Sequence, residues 1–151
     1  MLTSDGPMVI EFNARFGDPE TQAVLTRLDT DLVDIFSAIS RGDIQGMEVE
    51  WSRQSSVCIV MASGGYPGSF ERGKPITGLI EAGGLDDVVV FHAGTALGSE
   101  GSFLTSGGRV LGVTATADSL AQARNQAYAA VGRIEFEGMH YRTDIAVQAG
   151  R

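Results

Sequence analysis

The chain has 151 residues, of which 43% are hydrophobic and 20% are charged, a composition that supports a folded core and differs from that of disordered chains. Its formal net charge of −8 argues against nucleic acid or an anionic membrane surface as a partner, because both require basic patches. The apolar stretches are short and interrupted, which predicts no membrane-spanning helix. An anionic substrate would have to be held by a few local cations.

Cysteine usage predicts the compartment. Cys58 is the only cysteine, so no intrachain disulfide can form and a reducing, cytoplasmic setting is expected. Its place in an apolar run predicts a buried thiol without a chemical role. The first six residues lack the basic and apolar regions of a secretion signal.

The first residues predict a hairpin turn followed by a strand. Asp5-Gly6 is a turn signal, and the alternation from Met8 to Phe16 predicts a strand. Too few residues precede the turn for a convincing first strand, so the chain is expected to begin inside a hairpin. An unpaired edge there could pair with a second copy of the chain or leave it a monomer.

A helical segment is expected next. Asp18 and Pro19 suit a helix start, and apolar residues at helical spacing continue as far as Ile39. The segment Asp29 to Asp31 can interrupt this run and cap a second helix, which Gly42 ends. Residues 1–47 then form one incomplete domain.

From residue 48 the pattern becomes that of a small, mostly antiparallel sheet with a covering helix, so the fold class is α+β with a second domain at 48–151. The predicted elements are strands at Val57 to Ala62 and Val88 to Ala93, a hairpin of Ser102 to Thr105 with Arg109 to Thr116, a helix capped by Asp118-Ser119 that runs to Val131, and an edge strand at Gly138 to Val147.

The residues with the clearest chemical potential lie on the first predicted strand. Glu11, Asn13 and Arg15 alternate, so they share one face of that strand. A carboxylate and an amide oxygen two residues apart form half of an oxygen-ligand site for Mg²⁺, and the arginine could bind a phosphate or carboxylate. The same pattern is also that of an ordinary surface strand with polar residues facing outward.

A family resemblance bears on that choice. The run from Val9 to Gln22, with Glu-x-Asn-x-Arg followed by Phe-Gly-Asp-Pro-Glu, resembles the signature of the phosphoribosylamine–glycine ligase family of the ATP-grasp superfamily. The resemblance continues in the family's order through Ala62 to Gly68, Gly73 to Ile76, Phe91 to Thr95, Ser106 to Leu111 and Phe136 to Ile145.

The resemblance implies a function, a fold and a set of roles. The family joins glycine to 5-phosphoribosylamine in purine synthesis and cleaves ATP to ADP and phosphate through a glycyl phosphate. Glu11 and Asn13 match its ligands for Mg²⁺ or Mn²⁺, and Arg15 matches an active-site arginine. Residues 1–47 match the end of the ATP-grasp domain and residues 48–151 the C-terminal domain. Most of the ATP pocket would belong to the part of the enzyme that precedes these residues.

Three further residues are candidates for substrate binding. Arg109 leaves a Gly-Gly turn whose backbone N–H groups could form an anion-binding concavity. We hypothesise that Arg109, together with Lys74, binds the ribose 5-phosphate; the alternative is an ordinary arginine paired with a carboxylate. Asp18 is also a substrate-binding candidate, although capping a helix is a sufficient role for it.

Three functions remain open from the sequence. The first is a C-terminal piece of the ligase that is completed by an N-terminal part and is inactive alone. The second is another ATP-grasp carboxylate–amine ligase, which the later segments of the resemblance disfavour. The third is a self-standing, non-catalytic binding module derived from such an enzyme.

Overall fold

The computed structural model describes residues 1–99 and 101–147, and these form an α+β fold that confirms the predicted class. The described helices are α1 (Glu20–Leu25), α2 (Leu32–Arg41), α3 (Leu79–Gly83) and α4 (Leu120–Val131). The strands are β1 (Leu2–Thr3), β2 (Gly6–Pro7), β3 (Ser55–Ala62), β4 (Pro75–Ile76), β5 (Val88–His92), β6 (Thr95–Leu97), β7 (Phe103–Thr105) and β8 (Arg109–Ala117). No described helix has the length and apolar character needed to cross a membrane.

The main sheet has β8 between β3 and β5, with both pairs antiparallel. The central strand, β8, is almost wholly buried. Its neighbours β3 and β5 lie where strands were predicted, at Val57 to Ala62 and at Val88 to Ala93. Ile59 lies opposite Val113 in the middle of the core. Helix α4 covers this sheet through Ala123 and Ala127, which are fully buried, because alanine lets a helix approach a sheet closely.

The predicted covering helix is confirmed in detail. Ser119 is its N-cap, and the Ser119 hydroxyl accepts from the backbone N–H of Gln122 at 3.3 Å. The second predicted cap is confirmed as well, because the Asp31 carboxylate accepts from the N–H of Val33 at 2.7 Å at the start of α2. Gly42 ends that helix in the left-handed conformation.

The predicted hairpin of Ser102 to Thr105 with Arg109 to Thr116 is wrong. Both strands exist, but β7 lies between β4 and β6 in a second antiparallel sheet, whereas β8 lies in the first. The turn between them therefore passes from one sheet to the other. In this turn the N–H groups of Ser106 and Gly107 donate to the carbonyl of Gly94, which precedes β6.

The predicted strand from Met8 to Phe16 is also not formed. β1 and β2 make a two-residue hairpin around the predicted Asp5-Gly6 turn, and the chain continues without sheet pairing to residue 17. Ile10 and Phe12 in this segment are 71% and 89% exposed. A strand needs a partner for its backbone groups. Met8 exchanges two hydrogen bonds with Met1, at 2.7 and 2.8 Å, and none of the described residues pairs with the backbone from Val9 to Phe16.

The predicted edge strand at Gly138 to Val147 is reduced to one bridge, between His140 and Ala62. Beyond this bridge, side chains of α4 form hydrogen bonds with backbone groups that would otherwise pair in a strand. Arg124 donates to the carbonyls of Thr143 and Ile145, both at 2.9 Å. The segment is therefore held against the helix by side-chain hydrogen bonds.

Helix α1 lies on the opposite side of β3. The Thr26 and Ser56 hydroxyls are 3.0 Å apart, and the segment after α2 returns so that Ser52 N–H donates to the Arg27 carbonyl at 2.8 Å. The residues before α1 lie at the other end of β8, where Arg109 donates to the Asp18 carbonyl.

Candidate active site

The predicted metal ligands lie side by side. The Asn13 Nδ2 donates to Glu11 Oε1 at 3.2 Å, so the alternation inferred from the sequence does bring the two side chains together. Both residues are exposed, and the backbone that carries them is extended without being paired in a sheet. The shared face therefore exists even though the predicted strand does not.

The Glu11 and Asn13 pair fits a hard divalent cation. Rotating the Asn13 amide by 180° exchanges its nitrogen for its oxygen, which would then lie beside the Glu11 carboxylate. Two oxygens bound at right angles to one Mg²⁺ are about 3 Å apart, which is close to the separation of the two atoms here. The described residues contain no group of three His, Cys, Asp or Glu side chains that could complete a site.

Arg15 is not joined to this pair. Its Nη1 donates to the carbonyl of Phe16 at 3.1 Å, and the side chain is exposed. The guanidinium is thus held near the backbone that leads into α1, and its predicted role with a phosphate stays a prediction.

The structure brings two of the predicted substrate-binding residues together. Arg109 Nη1 lies 3.4 Å from Asp18 Oδ2 and also donates to the Asp18 carbonyl. Asp18 does not cap α1, because Pro19 occupies the N-cap position without a side-chain hydrogen bond. The Asp18 carboxylate instead accepts from Gln22 Nε2 at 3.0 Å. A charged pair from two parts of the chain therefore lies at the surface, with 53% of the aspartate and 40% of the arginine side chain exposed.

The electrostatic surroundings keep Arg109 charged. Burial lowers the pKa of the Arg109 guanidinium, but the influence of Tyr66 and Asp18 outweighs it, so the pKa is raised above its usual value. The guanidinium is therefore positively charged at neutral pH. It is available to an anion on the part of the guanidinium that Asp18 leaves free.

The anion-binding concavity predicted at the Gly-Gly turn is filled by the protein itself. The backbone N–H groups of Ser106 and Gly107 both donate to the Gly94 carbonyl, at 2.7 and 3.1 Å. Two donors that could have bound a phosphate are therefore used internally. Anion binding at this turn would depend on the Arg109 side chain.

Lys74 is engaged elsewhere. Its ammonium lies 2.7 Å from Glu71 and 3.0 Å from Glu137, and hydrogen bonds to these two carboxylates raise its pKa. Two carboxylates more than neutralise one ammonium, so Lys74 offers little net attraction to an anion in this arrangement. Lys74 therefore makes a contact that stabilises the fold, and its role in substrate binding stays a prediction.

A pocket of about 370 Å³ adjoins Asp18 on the side of helix α1. Its walls come from α1 and the end of β5, and its lining includes Phe16, Asp18, Gln22, Phe91 and His92. The walls are mostly apolar, and Asp18 is the charged residue among those that line the pocket. A small ligand with an apolar face and a few polar groups would fit such a lining.

The predicted inert thiol is half-buried. Cys58 lies beneath α1, where a methyl group at Gly112 would meet its Sγ at 3.4 Å. Burial raises the pKa of the Cys58 thiol above its usual value. A protonated thiol is a poor nucleophile, in agreement with a role in packing.

Comparison with known proteins identifies the family. The sequence model described as phosphoribosylglycinamide synthetase, C domain, matches residues 56–148, which is more than half of the chain. The chain belongs to the phosphoribosylglycinamide synthetase family. The resemblance found in the sequence is therefore confirmed.

Two curated relatives of this chain are named phosphoribosylamine–glycine ligase. The chain is 48% identical over 146 residues to the phosphoribosylamine–glycine ligase of Caldanaerobacter subterraneus, covering 97% of this chain and 34% of the relative. It is 49% identical to the chloroplastic ligase of Arabidopsis thaliana, covering 96% of this chain and 27% of that protein. The chain thus spans about a third of the length of the curated relatives it matches, and the match is to their C-terminal part.

A solved structure agrees with the fold of this chain. The phosphoribosylamine–glycine ligase of Thermotoga maritima superposes with a TM-score of 0.80 at 36% identity, covering 97% of this chain and 35% of that one. The likeness includes the segment around Glu11 as well as the main sheet, because nearly all of the chain is covered.

One residue at this site was not predicted from the sequence. The Tyr66 ring lies against the backbone of Gly108, immediately before Arg109. The only signal for it was the Gly-Gly-Tyr-Pro-Gly segment, which the sequence alone marks as a turn. That the turn meets Arg109 follows from the pairing of β3 with β8, which places Ala62 opposite Arg109.

Proposed function

We propose that this chain is the C-terminal part of an enzyme that joins glycine to 5-phosphoribosylamine and cleaves ATP to ADP and phosphate in purine synthesis. The main observation in support of this proposal is that the chain is 48% identical, over 97% of its length, to a phosphoribosylamine–glycine ligase. The pairing of Glu11 with Asn13 supports it, because an oxygen-ligand pair in that position suits the cation that phosphoryl transfer requires.

The chain's own residues would serve the first half of the reaction through electrostatics. Glu11 and Asn13 would hold Mg²⁺ or Mn²⁺, which supplies positive charge to offset the phosphates of ATP. Arg15, two residues further along the same segment, would orient a phosphate or the glycyl phosphate. The amine of phosphoribosylamine then displaces the phosphate to form the amide.

Arg109 would bind the ribose 5-phosphate at the other end of the site. The pocket beside Asp18 has room for a small sugar, and the Asp18 carboxylate in its wall is paired with the partly exposed Arg109 guanidinium. Lys74 could assist only if Glu71 or Glu137 released it. We therefore assign the phosphate to Arg109 first.

The ATP-binding part of the enzyme would cover the exposed apolar residues of the first segment. Met8, Val9, Ile10 and Phe12 are each more than half exposed on a backbone that is not paired in a sheet. Pairing with a strand of that part would satisfy the backbone and bury the side chains. This supports a division into residues 1–47, which complete the ATP-grasp domain, and residues 48–151.

The proposed function is tested with a chimera. The C-terminal third of the Caldanaerobacter ligase is replaced by this chain, and ADP formation is measured with glycine and phosphoribosylamine. We expect turnover that depends on both substrates. A chimera that folds and binds ATP but forms no ADP, beside an active parent enzyme, would contradict the assignment.

The 151-residue chain alone is expected to be inactive. Two exposed ligands without a third carboxylate hold a divalent cation weakly, and the described residues offer no further cluster of metal ligands. The same ADP assay on the isolated chain should give no signal above that of a Glu11→Ala variant. Turnover above that control would overturn the prediction.

Replacing Arg109 with alanine in the chimera should raise the KM for phosphoribosylamine by roughly 10–100-fold, because charge-assisted hydrogen bonds to a phosphate are lost. The KM for ATP should change little. The matched control is Arg142→Ala, which removes an exposed arginine whose partner is Asp144, 2.6 Å away. Equal KM values for phosphoribosylamine in both variants would remove Arg109 from the site.

The binding-module alternative rests on the same exposed apolar segment, since a partner protein could cover it. The chimera separates the two proposals: restored turnover favours the ligase, and a chimera that folds but has no turnover favours the module.

A cytoplasmic setting remains our proposal, supported by the lone Cys58. The Arabidopsis relative carries the word chloroplastic in its name.

A further inference from the structure

The pocket beside α1 has walls that suit the apolar face of a sugar ring. Phe16 and Phe91 contribute aromatic side chains to its lining, and Leu25 adds an aliphatic one. Apolar and aromatic walls with a few polar groups are typical of small-molecule sites, and such walls can pack against the C–H groups of a furanose. The volume of about 370 Å³ is near the lower end for such sites, which suits a ligand of the size of a pentose.

The polar groups contributed by α1 and the residue before it include two hydrogen-bond acceptors. The Asp18 carboxylate accepts from Gln22 Nε2 at 3.0 Å and has further lone pairs to offer. The Oε1 atom of Gln22 is buried and has no hydrogen-bond partner among the described residues. A sugar hydroxyl can donate to such acceptors, whereas the oxygens of a phosphate dianion can only accept. The pocket therefore suits the hydroxyl groups of the sugar substrate, and the neighbouring Arg109 suits its phosphate.

His92 joins the lining of this pocket from the end of β5. Its backbone lies opposite Leu111 of the central strand, and the N–H of the next residue, Ala93, donates to the Val110 carbonyl at 3.0 Å. The imidazole therefore extends from a backbone that the main sheet fixes, although the side chain itself is exposed.

Two contacts hold the His92 ring. Its Nδ1 lies 3.0 Å from the Thr95 hydroxyl, and the ring packs on Phe103 with the ring centroids 4.3 Å apart. Because Nδ1 is engaged by Thr95, Nε2 is the ring nitrogen that remains for a ligand. A hydroxyl group both donates and accepts, so it can bind Nε2 in either tautomer of the neutral imidazole. A side chain held in this way loses little freedom when a ligand binds it.

We propose that His92 contacts the sugar substrate in this pocket, where its Nε2 forms a hydrogen bond with a ring hydroxyl of the ribose. The inference rests on the proposed function, in which the sugar occupies the pocket beside Asp18 and its phosphate binds Arg109. It makes His92 a specificity residue for the sugar, with no part in the use of ATP.

The test compares His92→Asn with His92→Gln in the chimera. Asparagine places its amide near the position of Nδ1 and leaves the position of Nε2 empty, whereas the longer glutamine reaches toward the position of Nε2. His92→Asn should raise the KM for phosphoribosylamine by roughly 3–10-fold, the effect of losing one hydrogen bond between neutral groups, while kcat and the KM for ATP stay within about twofold. His92→Gln should recover part of that loss.

Substrate analogues identify the hydroxyl. The 2-deoxy and 3-deoxy forms of phosphoribosylamine each lack one of the two ring hydroxyls that His92 could bind. With the analogue that lacks the contacted hydroxyl, His92→Asn should add little to the rise in KM, because one hydrogen bond cannot be lost twice. Effects of His92→Asn that are fully additive with both analogues would overturn the inference.

The matched control is His140→Asn, because that histidine is exposed and lies outside the pocket, where its backbone bridges to Ala62. This variant should leave the KM for phosphoribosylamine unchanged. An active chimera in which His92→Asn also leaves that KM unchanged overturns the inference and leaves the proposed function standing. A chimera that folds and binds ATP but has no turnover before any substitution contradicts the proposed function instead.

A binding measurement decides the inference if the chimera has no turnover. The imidazole NMR signals of His92 in the 151-residue chain, identified by their absence from His92→Asn, are followed during a titration with ribose 5-phosphate. We expect these signals to shift, and we expect inorganic phosphate, which lacks the ring hydroxyls, not to reproduce the shift. Equal shifts with the two ligands, or no shift with ribose 5-phosphate, overturn the contact between His92 and the sugar.

Discussion

Replacing Gly78 with alanine is expected to lower the free energy of unfolding by about 2–5 kcal/mol, the sum of a left-handed backbone penalty and a steric overlap. Gly78 has a φ of 78°, and a methyl group there would lie 1.7 Å from the Arg133 carbonyl oxygen. The neighbouring backbone cannot retreat, because Thr77 and Glu135 exchange two backbone hydrogen bonds of 2.9 and 3.2 Å. Few single changes remove so large a part of a domain's stability.

The measurement is urea-induced unfolding of the 151-residue chain, followed by circular dichroism. Gly83→Ala is the matched control, because that glycine lies on the exposed end of α3 and nothing is within 4 Å of an added methyl group. The control should change the free energy of unfolding by less than about 1 kcal/mol. Similar midpoints for the two variants would show that the backbone at Gly78 relaxes more easily than its contacts indicate.

The elements that the sequence predicted well are those whose signals are local. The apolar run at Val57 to Ala62 and the Ser119 cap each appear where expected, because burial and capping depend on neighbouring residues. The short strands β4 and β6 carried no such signal. Their residues are paired by β7, a contact set by distant parts of the chain.

The wrong predictions share a physical cause. Alternation from Met8 to Phe16 shows that a segment could form a strand, and it does not show that a partner is present. The same holds for the hairpin assigned to β7 and β8, since the turn residues were recognised but the sheet to which each strand belongs was not. Pairing is a property of two segments, and one-dimensional patterns describe each segment alone.

The candidate site shows the same difference between contacts within one segment, which the sequence predicts, and contacts between distant segments, which it does not. Glu11 and Asn13 were predictable because two residues on one extended segment share a face whether or not a sheet forms. The contact of Asp18 with Arg109 joins residues 91 positions apart and could not be read from either one. Tyr66 was missed for that reason too, and only the close approach to Gly108 reveals it.

The second large effect is expected from Glu11→Gln in the chimera. Glutamine keeps the shape of the side chain and removes the negative charge that a divalent cation needs, while Asn13 remains as a neutral oxygen donor. Loss of a partner outside the ligand shell already costs about 10–100-fold in metal affinity or activity, so loss of a ligand charge should reduce kcat/KM for ATP by at least roughly 100-fold. The Mg²⁺ concentration giving half-maximal rate should rise as well.

Glu48→Gln is the control for that variant, because it removes the same charge from the exposed segment after α2. Its rates and Mg²⁺ dependence should match those of the unaltered chimera. The decisive readout is the rate of ADP formation across a Mg²⁺ titration, repeated with Mn²⁺.

If Glu11→Gln shifts neither the rate nor the metal dependence, the carboxylate is a surface residue and the metal site must be built without it. If both shift while the thermal stability of the chimera is unchanged, the lost charge acts on the cation and not on the fold. The adjacent Glu11 and Asn13 oxygens would then be the contribution of this chain to the phosphoryl-transfer site.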